Sequence, residues 1–72
     1  MRVRVSYGAS NLPEYFIDGD SATVQEVFDE ISGGLNIPSN AEVFVNGSAS
    51  NFNRSLSTGD HVEFKKASGT KG

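Results

Sequence analysis

Seventy-two residues with a net charge of -3, no cysteine and a single histidine allow one domain at most, near the size at which a lone apolar core still suffices. That composition excludes a zinc cage, a disulfide framework and Cys-His thiol chemistry, so neither a metal nor a cofactor is expected. The acidic balance also argues against a dedicated polyanion binder, whose phosphate-driven affinity needs several uncompensated cations.

Met1 to Tyr7 alternates strictly, with Met1, Val3, Val5 and Tyr7 on one face and Arg2, Arg4 and Ser6 on the other, which predicts a first strand with one buried side. Gly8 to Pro13 is rich in turn residues and reads as a fairly long loop, after which Glu14 to Ile17 returns as a second strand. Three adjacent apolar residues leave the facing of that strand open. Asp18-Gly19-Asp20-Ser21 breaks the strand, and Thr23 with Glu26 forms a capping-box pair at a helix start. Val24, Val27, Phe28 and Ile31 recur at i, i+3, i+4 and i+7 as one apolar stripe, and Gly33 is the expected left-handed C-cap.

Leu35 to Pro38 reads as a connector to a third strand at Glu42 to Val45, followed by Asn46-Gly47, the favoured pair for a tight hairpin. Ser48 to Ser57 is polar apart from Ala49, Phe52 and Leu56 and reads as a short or irregular edge strand with an anchored loop. Thr58-Gly59-Asp60 turns into a last strand, His61 to Lys66, with Val62 and Phe64 inward. One helix then packs across one mixed sheet of four or five strands, the first and last strands adjacent and parallel: an α+β domain over residues 1–66 with a flexible tail at 67–72. With no apolar stretch of bilayer-spanning length and no leader-like N-terminus, the expectation is a cytoplasmic protein. It is expected to be a monomer, although the edge after Asn46-Gly47 is open to pairing with another chain.

Ala22-Thr23-Val24-Gln25-Glu26-Val27, Val43-Phe44-Val45-Asn46-Gly47 and Leu56-Ser57-Thr58-Gly59-Asp60-His61-Val62, in that order, resemble the β-grasp family of ubiquitin-like and sulfur-carrier proteins, which includes the small subunit of molybdopterin synthase and the thiamine-pathway sulfur carrier. The ending from Phe64 to Gly72 also resembles the tail of the ubiquitin-like C protein of the PRTRC plasmid system, which lies beside an activating-enzyme homologue and a peptidase homologue. The first resemblance implies a carrier whose terminal glycine is adenylated by an activating enzyme and converted to a thiocarboxylate or a conjugate. Glycine suits that chemistry because a chain end without Cβ threads a narrow channel in extended form. Gly72 fills the terminal position, whereas Lys71 stands where the family keeps a second glycine. Activation at Gly72 and a chain end that does no chemistry are both open readings.

The strand period places Phe44 on the side of the sheet away from the helix, with Arg2 and Arg4 from the first strand and Glu63 and Lys65 from the last. Phe44, Arg2, Arg4 and Lys65 are therefore the candidate contacts of an open face that takes a protein partner. Ubiquitin-like relatives use this face in that way, and an activating-enzyme homologue is the partner class that the resemblance implies. The main reading is a non-enzymatic protein-binding module acting through this face, the tail or both. A sulfur carrier or conjugated modifier activated at Gly72 is the alternative, and a nucleic-acid-associated accessory protein is a third reading, since bases stack on rings and phosphates pair with cations. Asp18-Gly19-Asp20 lacks the later ligands of a calcium loop, and Asp60-His61 lacks a nucleophile, so both read as turn chemistry and no catalytic residue is assigned.

Overall fold

The computed structural model describes residues 1–67. Two strands open the chain, β1 (Arg2–Tyr7) and β2 (Ser10–Phe16), and a short β3 (Ala22–Thr23) leads into the helix α1 (Val24–Leu35). After the helix come β4 (Glu42–Val45), β5 (Ser48–Ser50), β6 (Ser55–Leu56) and β7 (His61–Lys65). Five of these strands form one mixed sheet in the order β2-β1-β7-β4-β5, with β1 and β7 parallel and the other neighbours antiparallel. This is the β-grasp arrangement, with the last strand at the centre of the sheet.

Alternation decides which residues make the core. Val3 and Val5 of β1, Val43 and Val45 of β4, and Val62 and Phe64 of β7 are buried on the face that meets Val24, Val27 and Ile31 of α1. Phe28, on the same stripe, is half-buried and packs its ring against Phe52 and Phe64, with centroids 5.0 and 5.7 Å away. Phe52 lies 6.1 Å from Phe64, so three rings close one end of the core, one each from the helix, a loop and the central strand.

The opening hairpin corrects the sequence reading. β2 begins at Ser10, not Glu14, because Gly8 takes φ +58° and lets the chain reverse within two residues, which pairs Tyr7 with Ser10 and Ser6 with Asn11. Pro13 lies where the register slips, between the pairs Val5 with Leu12 and Val3 with Tyr15. Three steps on β2 there match two on β1, a bulge. On an outer strand the missing proline N–H leaves no ladder partner wanting.

At the helix start both bonds of the capping box form: Glu26 N–H donates to Thr23 Oγ1 (3.3 Å) and Thr23 N–H to Glu26 Oε1 (2.8 Å). Two more first-turn amides are taken by the polar loop that follows β5, Val24 N–H by the carbonyl of Arg54 (3.0 Å) and Gln25 N–H by that of Phe52 (2.9 Å). The same loop is tied down by a two-residue ladder of β3 with β6, pairing Ala22 with Leu56 and Thr23 with Ser55, an element too short to show in the sequence. The helix C-terminus is a second correction. Gly33 is not the cap; the helix continues through Gly33 and Gly34 to Leu35, and Asn36 takes the left-handed conformation at φ +58°. Leu35 packs against the core and Ile37 is buried, its N–H bonded to the Ser32 carbonyl at 3.1 Å, and this docking outweighs a helix penalty of about 1 kcal/mol per glycine.

The hairpin from β4 to β5 is as expected, with Asn46 and Gly47 at φ +54° and +87°, the two positive angles of a type I′ turn. Asn46 does more than turn the chain. Its Nδ2 donates to Asp60 Oδ1 (3.0 Å), its Oδ1 accepts from His61 N–H (3.0 Å), and its own N–H donates to the His61 carbonyl (2.8 Å). The turn is thereby fastened to the start of the central strand.

Candidate docking face and chain exit

The residues that alternate with the core line the open side of the sheet. Register places Phe44 of β4 directly opposite Glu63 of β7 and Glu42 opposite Lys65, while on the other flank of β7 Arg4 lies beside His61 and Ser6 beside Glu63. Ala49 of β5 is Phe44's other cross-strand neighbour. The Phe44 ring is half-buried, in part because Lys65 lies over it with Nζ 4.8 Å from the ring centroid, and the same ammonium is 3.9 Å from Glu63. A cleft of about 460 Å³ opens between Phe44, Ala49 and Phe52.

Phe44 and Lys65 are thus brought together, whereas the two arginines are not part of that cluster. Arg4 is separated from Phe44 by the whole width of β7, and Arg2 lies farther along β1, 3.9 Å from Glu14. The surroundings of Phe44 are not mostly cationic: Glu63 and Glu42 interleave with the positive side chains because the antiparallel register alternates them. Arg2, Arg4 and Lys65 share the face with Glu14, Glu42 and Glu63, a mixed-charge surface rather than the basic track that polyphosphate recognition requires.

Near the centre of the face Ser6 Oγ and His61 Nε2 are 3.1 Å apart. Asp60, the neighbour of His61 in sequence, gives its carboxylate to the turn instead, accepting from Asn46 Nδ2 and from Ser57 N–H at 2.8 Å. Among the described residues, hydroxyl and imidazole therefore lack the orienting carboxylate of a nucleophilic triad. Among the described residues no group of three or more His, Asp and Glu side chains is disposed to hold a metal, and no helix is long and apolar enough to cross a membrane.

One aromatic side chain escaped the sequence reading. Phe16 pairs with Arg2 on the open face and is 70% exposed, the one large apolar side chain among the described residues to be so open. The signal lay in Tyr15-Phe16-Ile17: once Tyr15 is placed opposite Val3 on the helix side, Phe16 must point away from it. Tyr15 itself donates its hydroxyl to Glu30 of α1. Burial, that hydrogen bond and the nearby Glu30 charge push the phenol up to about 12.

Where β7 ends, Lys66 and Ala67 carry the chain off the sheet beside an open groove of about 500 Å³ lined by Tyr7, Gly8, Ala9, Leu35, Phe64 and Lys66. Gly72, the candidate for activation, lies outside the described residues.

No protein-family model matches the sequence, and no curated protein matches it either. A solved structure, the thiamine biosynthesis protein ThiS from Geobacter metallireducens, shares its fold: the TM-score is 0.64, identity is 24%, and the match covers 99% of this chain and 100% of that one.

Proposed function

We propose that this chain works as a ubiquitin-like carrier: a β-grasp body that docks on a protein partner of the activating-enzyme type through its open sheet face and offers the segment ending in Gly72 for carboxyl chemistry. The observation that carries this reading is the end-to-end likeness in fold to a thiamine biosynthesis protein, in which neither chain has a sizeable part that the other lacks. Phe44 with Lys65 supplies a contact patch on a rigid platform, and β7 leads straight from the sheet centre into the segment offered. The apolar groove beside Lys66 gives a partner that grips this segment a place for a side chain of its own. In the carrier reaction the Gly72 carboxylate attacks the α-phosphate of ATP on the partner and displaces pyrophosphate, so the carrier is the substrate and the partner is the catalyst.

Lys71 favours a second reading, a binding module that docks in the same way and undergoes no activation, because a long cationic side chain occupies the position next to the terminal glycine. Incubation with ATP, a sulfur donor and an activating enzyme from the same genome, followed by intact-mass measurement, separates the two. A carrier gains the mass of an acyl-adenylate or exchanges a carboxylate oxygen for sulfur, and loses this on deletion of Gly72. An unmodified wild-type chain, with modification appearing only in Lys71→Gly, would support the module. Capture of the enzyme that is lost in Phe44→Ala would then locate the docking face.

A further inference from the structure

From residue 5 to residue 53 the chain has no Lys, Arg or His, and Asp18, Asp20, Glu26, Asp29 and Glu30 all fall within that stretch. The fold gathers several of these carboxylates at one place. A cleft of about 340 Å³ between the end of β2 and the helix is lined by Phe16, Ile17, Asp18, Glu26, Val27 and Glu30. Its carboxylates are bound by neutral donors or by none: Glu26 serves the helix cap, Glu30 accepts from Tyr15, and among the described residues none of the three meets a Lys or Arg side chain. The Met1 amine, which binds the carbonyls of Ile17 (2.8 Å) and Gly19 (3.1 Å), holds the turn around Asp18 in place and offsets one of the three charges.

Among the described residues, backbone beside the cleft is also without a partner on its outer side. Met1 and Ile17 bond to one another through both main-chain groups, Ile17 N–H to the Met1 carbonyl at 2.7 Å and the Met1 amine to the Ile17 carbonyl. The alternation of an antiparallel ladder then turns the N–H and C=O of Phe16 outward, to the outer edge of the sheet. Farther back along β2 the bulge and Pro13, which has no N–H, blunt the same edge. The end next to the acidic cleft remains able to pair.

We propose that this edge is a docking site for an extended, basic segment of a protein partner, which pairs with β2 at Phe16, covers the Phe16 ring with an apolar side chain and sets Lys or Arg side chains against Asp18, Glu26 and Glu30. Main-chain pairing gives such a complex its register, and the charge of the cleft selects the partner. The site lies at the sheet edge, apart from the Phe44 patch, and does not depend on the carrier reading.

The test uses the full chain and a fluorescein-labelled synthetic peptide alternating lysine and valine. Saturable binding by anisotropy is expected, weakening steeply as salt is raised, with amide shift changes at Phe16, Asp18 and Glu30. Phe16→Ser, at an exposed position where the far-UV spectrum should not change, is expected to weaken binding about tenfold, the loss of a modest contact anchor. The Asp18→Asn, Glu30→Gln pair, which keeps an acceptor for Tyr15, is expected to weaken it similarly and to flatten the salt dependence. Three results would overturn the proposal: no saturable binding by the wild type, shift changes centred on Arg4, His61 and Lys65 instead, or equal affinity of the wild type and Phe16→Ser for a lysine-serine peptide and the lysine-valine one. A wild type that sediments as a dimer while Phe16→Ser is a monomer would assign the edge to a second copy and equally refute it.

Discussion

Replacing Phe52 with Leu tests whether the three-ring cluster holds the polar loop onto the helix. The substitution keeps an apolar side chain of similar reach but removes two ring contacts, an edge-on one to Phe28 at 5.0 Å and a tilted one to Phe64 at 6.1 Å. Aromatic pairs of this kind contribute about 0.5–1.5 kcal/mol each beyond area burial, so the loss should be about 1–3 kcal/mol. For a domain of this size 1 kcal/mol shifts Tm by roughly 4–8 °C, which places the expected drop at about 4–24 °C. With no tryptophan in the chain, far-UV circular dichroism during thermal and urea unfolding is the suitable signal. A double-mutant cycle with Phe28→Leu should return a coupling of about 0.5–1.5 kcal/mol. Amide exchange adds an independent readout, because the Val24 and Gln25 amides are held by the Arg54 and Phe52 carbonyls and should lose protection before the middle of the helix does. A loss below about 0.5 kcal/mol together with additive single effects would mean that the rings are merely adjacent, and the account of the loop given above would be wrong.

Tyr15→Phe should alter the alkaline limb of the stability profile. The folded phenol titrates near 12 and the unfolded one near 10, so its stabilisation is complete below pH 10 and is lost as pH rises toward 12. The wild type should therefore lose about 1 kcal/mol more than Tyr15→Phe over that window, a figure reduced for the surface position of the hydroxyl; parallel profiles in urea titrations would contradict it. Asn46→Gly keeps the turn geometry but removes the bonds to Asp60 and His61, and should cost about 1–2 kcal/mol in urea unfolding, whereas an unchanged midpoint would mean that the bridge adds nothing. Phe44→Ala should leave the far-UV spectrum intact and lower stability by about 1 kcal/mol, mainly through the lost Lys65 contact, and unfolding of this variant would place the ring in the core.

Much of the fold was legible because the informative elements are long and periodic. The stripe Val24, Val27, Phe28, Ile31 and the alternation in β1 and β7 have no competing interpretation, and Asn46-Gly47 is a turn by backbone chemistry alone. The misreadings came where tertiary contacts overrule local preference. Ser10-Asn11-Leu12-Pro13 has the composition of a loop, yet one glycine turn gives it a partner strand; Gly33-Gly34 has the composition of a helix end, yet Leu35 and Ile37 draw the helix onward. The β3 and β6 ladder is too short for any period to register. Of the candidate site, the facing of Phe44, Glu63 and Lys65 could be read from alternation, but which of them stand side by side, and that Glu42 lies opposite Lys65, could not, because that depends on register and not on any one strand. Phe16 was hidden for the same reason: its direction follows only from the partner of Tyr15.

Placing the final strand at the middle of the sheet has a consequence for biosynthesis. Until Val62 and Phe64 leave the ribosome, β1 and β4 have no common neighbour and the helix has no floor, so a nascent or truncated product cannot close its core from the hairpins already made. Closure therefore waits until β7 has been made. The open face that spans β1, β7 and β4 is for the same reason assembled only in chains whose seventh strand is in place.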